Sequence, residues 1–156
     1  RNMYEALVIS DFEARIKTSE RERARMEKEC EDICRSGSVH SCKVCQQKLA
    51  SIIKELEYYT IMRGLIDVLT EPLRFPIIRT EYLQVAYEAS EAISELMQRG
   101  LEAMGTDVES KAKEIISKYE AQRRELKIKS ELERAVEGLA EESWKGGEEG
   151  VGERGG

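Results

Sequence analysis

The sequence has a single histidine and two prolines, and aromatic residues make up 6% of the chain. Because His40 is the only imidazole, no histidine and carboxylate pattern has the spacing that a metal enzyme needs. A nucleophilic cysteine would have no other imidazole as its base. No strand is predicted, so the chain lacks the strand followed by a glycine-rich loop that binds phosphate in nucleotide-binding enzymes. We therefore expect a protein without enzymatic activity.

Long apolar runs and strong basic character are also missing. No apolar run approaches the length of a membrane span, and the chain does not open with the pattern of a signal peptide. The net charge is −6, so any nucleic-acid binding would depend on local arginines. Asparagine occurs once, at Asn2, whereas Glu, Lys and Arg are abundant. This bias is typical of proteins from very hot habitats, where intracellular disulfides are common.

Long stretches of helix-forming residues predict an all-α fold of about four helices, arranged as two long antiparallel hairpins. A capping box over residues 10–13 predicts that the first helix covers residues 11–35, after an N-terminal arm over residues 1–10. The second helix is predicted over residues 42–69. Residues 11–69 therefore form the first predicted hairpin.

The second half of the chain is divided by its prolines and glycines. The two prolines predict an extended crossover over residues 70–80. The second hairpin is predicted over residues 81–144, with a turn where the helix-stopping Gly105 precedes a capping box, Thr106–Glu109. In residues 145–156, six of the twelve residues are glycine, which predicts a disordered tail.

All four cysteines lie on either side of the turn of the first hairpin, where their sulfurs can converge. One interpretation is a single structural zinc held by Cys30, Cys34, Cys42 and Cys45, with His40 able to replace one thiolate. Another is two nested disulfides, Cys30 with Cys45 and Cys34 with Cys42, which would tie the two helices together without a cofactor. An iron–sulfur cluster or free thiols are further alternatives.

The first predicted helix has a polar interruption in its apolar seam, at Ser19 and Arg23. We expect the surrounding segment, Lys17–Arg25, to face water or a polar partner. One interpretation of its arginines is a solvated face crossed by i,i+4 ion pairs. Another is contact with phosphates, by Arg15 and Arg23 first. The candidate nucleic-acid-binding residues are Arg15, Arg21, Arg23 and Arg25 on this helix, and Arg74 and Arg79 in the crossover.

The fourth predicted helix is long, and its stretch Lys118–Arg134 is rich in Lys and Arg with few apolar residues. A helix that extends past its hairpin partner usually buries its apolar stripe against another subunit. Three hypotheses for function follow. The protein is a structural subunit that packs against itself or a sister subunit around nucleic acid, a zinc-bearing helical adapter or regulator, or an accessory subunit of a larger enzyme.

Several of these features together resemble the coat (major capsid) proteins of filamentous DNA viruses of hyperthermophilic archaea. They are the apolar arm Tyr4–Ile9, the arginine-rich helix Arg15–Arg25 with its polar seam, the crossover with Pro72 and Pro76, the glycine-rich tail and the composition. The resemblance implies a helical capsid subunit that wraps double-stranded DNA with like or sister subunits. It also implies location in the virion; without it we expect a cytoplasmic protein.

Overall fold

The computed structural model describes the backbone of residues 3–70 and 80–155, and the side chains of residues 6–70 and 80–144. The described residues form four α-helices and no strand. These are α1 (Met3–Ser36), α2 (Val39–Thr70), α3 (Thr80–Arg99) and α4 (Asp107–Gly155), with a short 3-10 helix, Gly100–Ala103, before α4. The predicted all-α class is confirmed. None of the helices in this part of the chain has the length and apolar character that a membrane span needs.

Helices α1 and α2 form the predicted hairpin, and their link consists of two residues, Gly37 and Ser38. Ser38 is the N-cap of α2, because its Oγ accepts a hydrogen bond of 3.0 Å from the backbone N–H of Ser41. Gly37 donates its N–H to the carbonyl oxygen of Ile33 over 2.7 Å. A Cβ at position 37 would lie 2.7 Å from that same oxygen, so the turn requires glycine.

The chain divides into two units, Arg1–Tyr119 and Glu120–Gly156. The core of the first unit lies between α2, α3 and the beginning of α4. Its fully buried side chains include Leu65, Val68 and Leu96, each of which stabilises the fold by about 1.5–3 kcal/mol through burial. The other buried members of this core are Ile61, Met62, Val85, Ala89, Ala92, Ala103, Met104, Val108, Ala112, Ile115 and Tyr119.

Two tyrosines fix the antiparallel packing of α2 against α3. The hydroxyl of Tyr58 donates to the carbonyl oxygen of Leu96 over 3.2 Å. The hydroxyl of Tyr82 donates to the carbonyl oxygen of Val68 over 3.0 Å. Each half-buried phenol therefore has a backbone partner, which removes the cost of burying its hydroxyl.

The turn before α4 has most of the predicted capping box, but α3 ends at Arg99, earlier than the predicted stop at Gly105. Gly105 has a φ of 81°, a left-handed conformation that favours glycine. The Oγ1 of Thr106 accepts a hydrogen bond of 3.3 Å from the N–H of Val108. The carboxylate of Glu109 accepts its bond from the N–H of Gly105 over 2.7 Å, one residue before the expected N-cap donor.

Several helix boundaries differ from the predicted ones. Helix α1 begins at Met3, so the described part of the predicted arm, residues 3–10, belongs to the helix. These residues contain no proline or glycine that would stop a helix, and the buried side chain of Ile9 stabilises it. The predicted capping box at residues 10–13 therefore lies inside α1.

The predicted crossover lies mostly outside the described residues, whereas the predicted tail is helical. Residues 71–79, with Pro72 and Pro76, lie outside the described residues. Helix α4 continues to Gly155, so the backbone of the predicted tail is helical over residues 145–155. No proline follows residue 76, so no residue in the tail lacks the backbone N–H that a helix requires.

Candidate functional site

The four cysteines form two nested disulfides at the tip of the α1–α2 hairpin. Cys30 pairs with Cys45, with their Cα atoms 5.5 Å apart, and Cys34 pairs with Cys42, with their Cα atoms 4.6 Å apart. This is the pairing of the predicted disulfide alternative. It joins facing helices, whereas pairs within one helix would not link α1 to α2.

The structure does not support the zinc alternative. All four sulfurs are used in disulfides, so no thiolate is left as a ligand. Within the described residues, no group of three or more His, Cys, Asp or Glu side chains is placed to hold a metal ion. His40 lies in the first turn of α2 and is exposed. The sequence did not distinguish the two alternatives because both require four convergent sulfurs.

The two disulfides differ in their surroundings. Cys30 and Cys45 are buried, and the Sγ of Cys45 lies 3.7 Å from the Sδ of Met26. Cys34 is exposed and Cys42 is half-buried. Thiol–disulfide exchange depends on access to a sulfur. A reductant therefore reaches the Cys34–Cys42 bond, beside the turn, more easily than the buried Cys30–Cys45 bond, which we call the inner bond.

Two of the candidate arginines, Arg15 and Arg23, have partners within the protein. The guanidinium of Arg15 lies over the ring of Tyr59, 5.5 Å from its centroid. It also donates to Asp11 over 3.0 Å and to the hydroxyl oxygen of Tyr59 over 3.4 Å. Arg23 donates to Glu27 over 2.9 Å. Arg15 is therefore held against α2, whereas Arg23 has only an exposed i,i+4 ion pair, which contributes little.

The other two candidate arginines of α1, Arg21 and Arg25, lie on a different face. Lys17, Arg21, Arg25 and Lys28 follow one another at spacings of four, four and three residues, which places them on one side of the helix. We call them the α1 basic stripe. All four are exposed, and from Lys17 to Lys28 they span about 16 Å at 1.5 Å per residue. This stripe was not predicted as a unit, although its spacing is visible in the sequence.

The basic stripe has little competition from acidic partners. Arg25 forms an exposed ion pair of 2.9 Å with Glu29, and such pairs contribute only about 0.3–0.5 kcal/mol. Within the described residues, Lys17, Arg21 and Lys28 form no ion pair or side-chain hydrogen bond. Three of these four cations are therefore available to an anionic ligand. The remaining candidates, Arg74 and Arg79, lie outside the described residues.

The predicted ion-pair interpretation also describes much of α1. Arginines pair with acids four residues away at Arg15 and Asp11, Arg23 and Glu27, Arg25 and Glu29, and Arg35 and Glu31. Ser19, in contrast, is buried, although the sequence placed it in a segment that faces water or a polar partner. A small side chain fits where two helices pack closely, so its polarity alone was a poor guide.

No protein-family model, curated protein or solved structure matches this chain.

The structure also shows an apolar surface on α3 that was not predicted; of its residues, only Met97 was expected to face inward. Leu83, Tyr87 and Met97 lie on the outer face of α3 and are 55–69% exposed. Together with Ser90 and Ser94, they follow the alternating spacing of four and three residues that is typical of a coiled-coil seam. We call these five residues the α3 outer face. The expected inward position of Met97 is wrong, because the buried face of α3 is formed by Val85, Ala89, Ala92 and Leu96.

Proposed function

We propose that the protein is a non-enzymatic structural subunit that assembles with copies of itself or with a sister subunit. The observation that supports this most strongly is the α3 outer face. A single exposed apolar residue is common on any protein surface. On α3, large apolar side chains recur at seam spacing, and the opposite face of the helix is already buried. This pattern is typical of a surface that packs against another helix.

The α1–α2 hairpin supports the same role, because it is suited to mechanical stability. Two disulfides join its helices at the tip, and Arg63 of α2 donates to Glu13 of α1 over 2.8 Å near the opposite end. Disulfides stabilise a fold mainly by restricting the conformations of the unfolded chain. A subunit of a durable assembly benefits from such links, since fraying at a hairpin tip would expose its apolar seam.

We further propose that the assembly binds double-stranded DNA without reading its sequence, as the resemblance to viral coat proteins implies. The α1 basic stripe is the surface that supports this. Its cations can contact phosphates, which fix a protein on a duplex but carry no base information. The overall charge of −6 opposes binding by a single copy. Many copies in register would present many stripes to one duplex, and phosphate contacts dominate affinity in such complexes.

Particle mass in solution tests the assembly. The protein, with its disulfides intact, is measured by light scattering over a range of concentrations, together with a Leu83→Glu, Met97→Glu variant. We expect the unmodified protein to form particles larger than one chain and the variant to form smaller ones. Ser110→Glu with Ser117→Glu adds the same charge at exposed positions of α4 and serves as the control. Equal masses for the variant and the unmodified protein would contradict a role for the α3 outer face.

A further inference from the structure

The second unit has an apolar stripe of its own on α4. Ile128, Leu132, Ala135 and Leu139 follow one another at spacings of four, three and four residues, with Val136 beside them. We call these five residues the α4 stripe. Its four large side chains are 57–67% exposed, and every described side chain from residue 127 to residue 144 is exposed. A helix gains most of its stability by packing an apolar face, so a stripe of this kind indicates a missing partner.

The charges around the stripe indicate what that partner is. Residues 121–130 carry four basic side chains and one acidic side chain, a net charge of +3. Residues 131–144 carry five acidic side chains and one basic side chain, a net charge of −4. The centre of the stripe, between Leu132 and Ala135, lies close to the boundary between these two halves. The segment is therefore complementary to itself when a second copy runs in the opposite direction.

We propose that α4 pairs through residues 128–139 with the same segment of a second copy as an antiparallel two-helix coiled coil. With the two-fold axis between Leu132 and Ala135, Ile128 of one copy lies opposite Leu139 of the other. Leu132 likewise lies opposite Ala135, so four apolar layers are formed.

The mainly basic half of each copy then faces the mainly acidic half of the other, and the seam ends where Glu125 of one copy lies opposite Glu142 of the other. A parallel pair would place Arg124 of one copy near Lys129 of the other and would put like charges side by side along its whole length.

This inference deepens the proposed assembly, on which it rests, by naming a second copy of the chain as the occupant of a second surface. The α4 stripe contains none of the residues of the α3 outer face. Variants of the two surfaces can therefore fail independently.

Cysteine cross-linking tests the direction of pairing. All four native cysteines are in disulfides, so an introduced cysteine supplies the single free thiol. Ile128→Cys and Leu139→Cys proteins are mixed, and oxidised glutathione serves as the oxidant that accepts the electrons of each new disulfide. We expect the mixed dimer, linked between positions 128 and 139, to predominate over both symmetric dimers. Peptide mass mapping identifies the linked residues and confirms that the native disulfides remain.

Dissociation constants provide the second measurement. We expect Leu132→Ser with Leu139→Ser to weaken dimerisation by at least about 100-fold, since four leucines per dimer lose their burial. Trp144→Ser removes a larger exposed apolar side chain away from the stripe and should leave the constant within about twofold, as expected for a position outside the seam. Added salt should weaken the unmodified dimer, because it screens the attraction between opposite charges.

Three outcomes would overturn the inference. They are a predominant symmetric dimer linked through position 128, a dimer that becomes tighter with added salt, and no cross-linked dimer at any concentration. If the α3 variant still reduces particle mass in the last case, the proposed assembly stands and the α4 stripe has a different partner. If the unmodified protein has the mass of one chain at every concentration, the proposed function fails as well.

Discussion

Cys30 and Cys45 form a disulfide inside the α1–α2 hairpin, where each residue is only 5% exposed. The bond joins positions 15 residues apart, whereas the bond between Cys34 and Cys42 joins positions 8 residues apart. The inner bond therefore closes the longer loop and also contributes buried surface. These two properties make it the more important of the two for stability.

Replacing Cys30 and Cys45 with alanine should lower the free energy of unfolding by about 3 kcal/mol, the value expected for a loop of this length. Replacing Cys34 and Cys42 should have a smaller effect, because that loop is shorter and its two cysteines contribute less buried surface. Urea unfolding under non-reducing conditions measures both changes. A larger loss for the Cys34 and Cys42 variant would show that loop length and burial do not determine the contributions.

The first hairpin also shows what the sequence could and could not predict. Helix-forming residues on both sides of a short polar turn were sufficient to predict two helices and four converging sulfurs. The boundary at α2 was placed too late, because the capping role of Ser38 depends on a single hydrogen bond to Ser41. The choice between zinc and disulfides was left open, since both require the same spacing and differ in the distance between facing helices.

A close contact between α2 and α4 leads to a second prediction. An added Cβ at Gly64 would lie 2.7 Å from the Cδ1 atom of Ile116 and 3.3 Å from its Cγ1 atom. Gly64→Leu should therefore destabilise the protein by about 1–3 kcal/mol through overpacking. Ala50→Leu is the control, because it adds a similar side chain at an exposed position of the same helix.

Chemical unfolding of the single and double variants tests this contact. Ile116→Ala should cost less in the Gly64→Leu background than in the unmodified protein, since it makes room for the new side chain. Strictly additive effects would show that the two residues do not share the space between the helices.

The turn before α4 predicts a pH dependence. The backbone N–H of Gly105 lowers the pKa of Glu109, and Lys113 contributes to the same shift. Because the pKa is lower in the folded protein, this interaction stabilises the fold fully above the unfolded pKa, which is about 4.3. Its contribution is lost as the pH falls through the folded pKa.

Glu109→Gln should therefore be less stable than the unmodified protein at pH 7, and the difference should shrink at low pH. Thermal unfolding between pH 7 and pH 2 measures this difference in stability. Glu95→Gln, at an exposed position of α3, is the control and should show no comparable change. A difference that stays constant down to pH 2 would indicate that the carboxylate charge is not involved.

The α1 basic stripe predicts that Arg21 and Arg25 contribute to the affinity for duplex DNA. Arg21→Glu with Arg25→Glu should weaken binding to duplex DNA of any sequence. Two lost phosphate contacts should also reduce the magnitude of the salt slope by about 1.8, at about 0.9 for each contact. Lys43→Glu with Arg99→Glu makes the same charge change at exposed positions outside the stripe.

Salt titration of the binding constants distinguishes a local surface from a general charge effect. If the control variant loses as much affinity as the stripe variant, net charge alone determines binding. If neither variant changes binding, α1 does not contact the duplex. Circular dichroism of both variants confirms that their helices are intact.

The arginines show a second limit of sequence reasoning. Their number and location on α1 were evident, but the side of the helix that faces α2 was not. The sequence placed Arg23 on the apolar seam and named it with Arg15 for phosphate contact, but in the structure Arg15 contacts Tyr59 of α2. The outer face became clear only when the buried residues Ile9, Ser19 and Cys30 defined the inner one.

The most direct test of the account is the particle mass of the unmodified protein, with its disulfides intact, measured by light scattering as a function of concentration. One chain has a mass of 17.8 kDa. The account predicts particles of at least two chains, which grow with concentration and become smaller in the Leu83→Glu, Met97→Glu variant. A mass of one chain at every concentration, with the same value for the variant, would contradict the proposed role as a structural subunit.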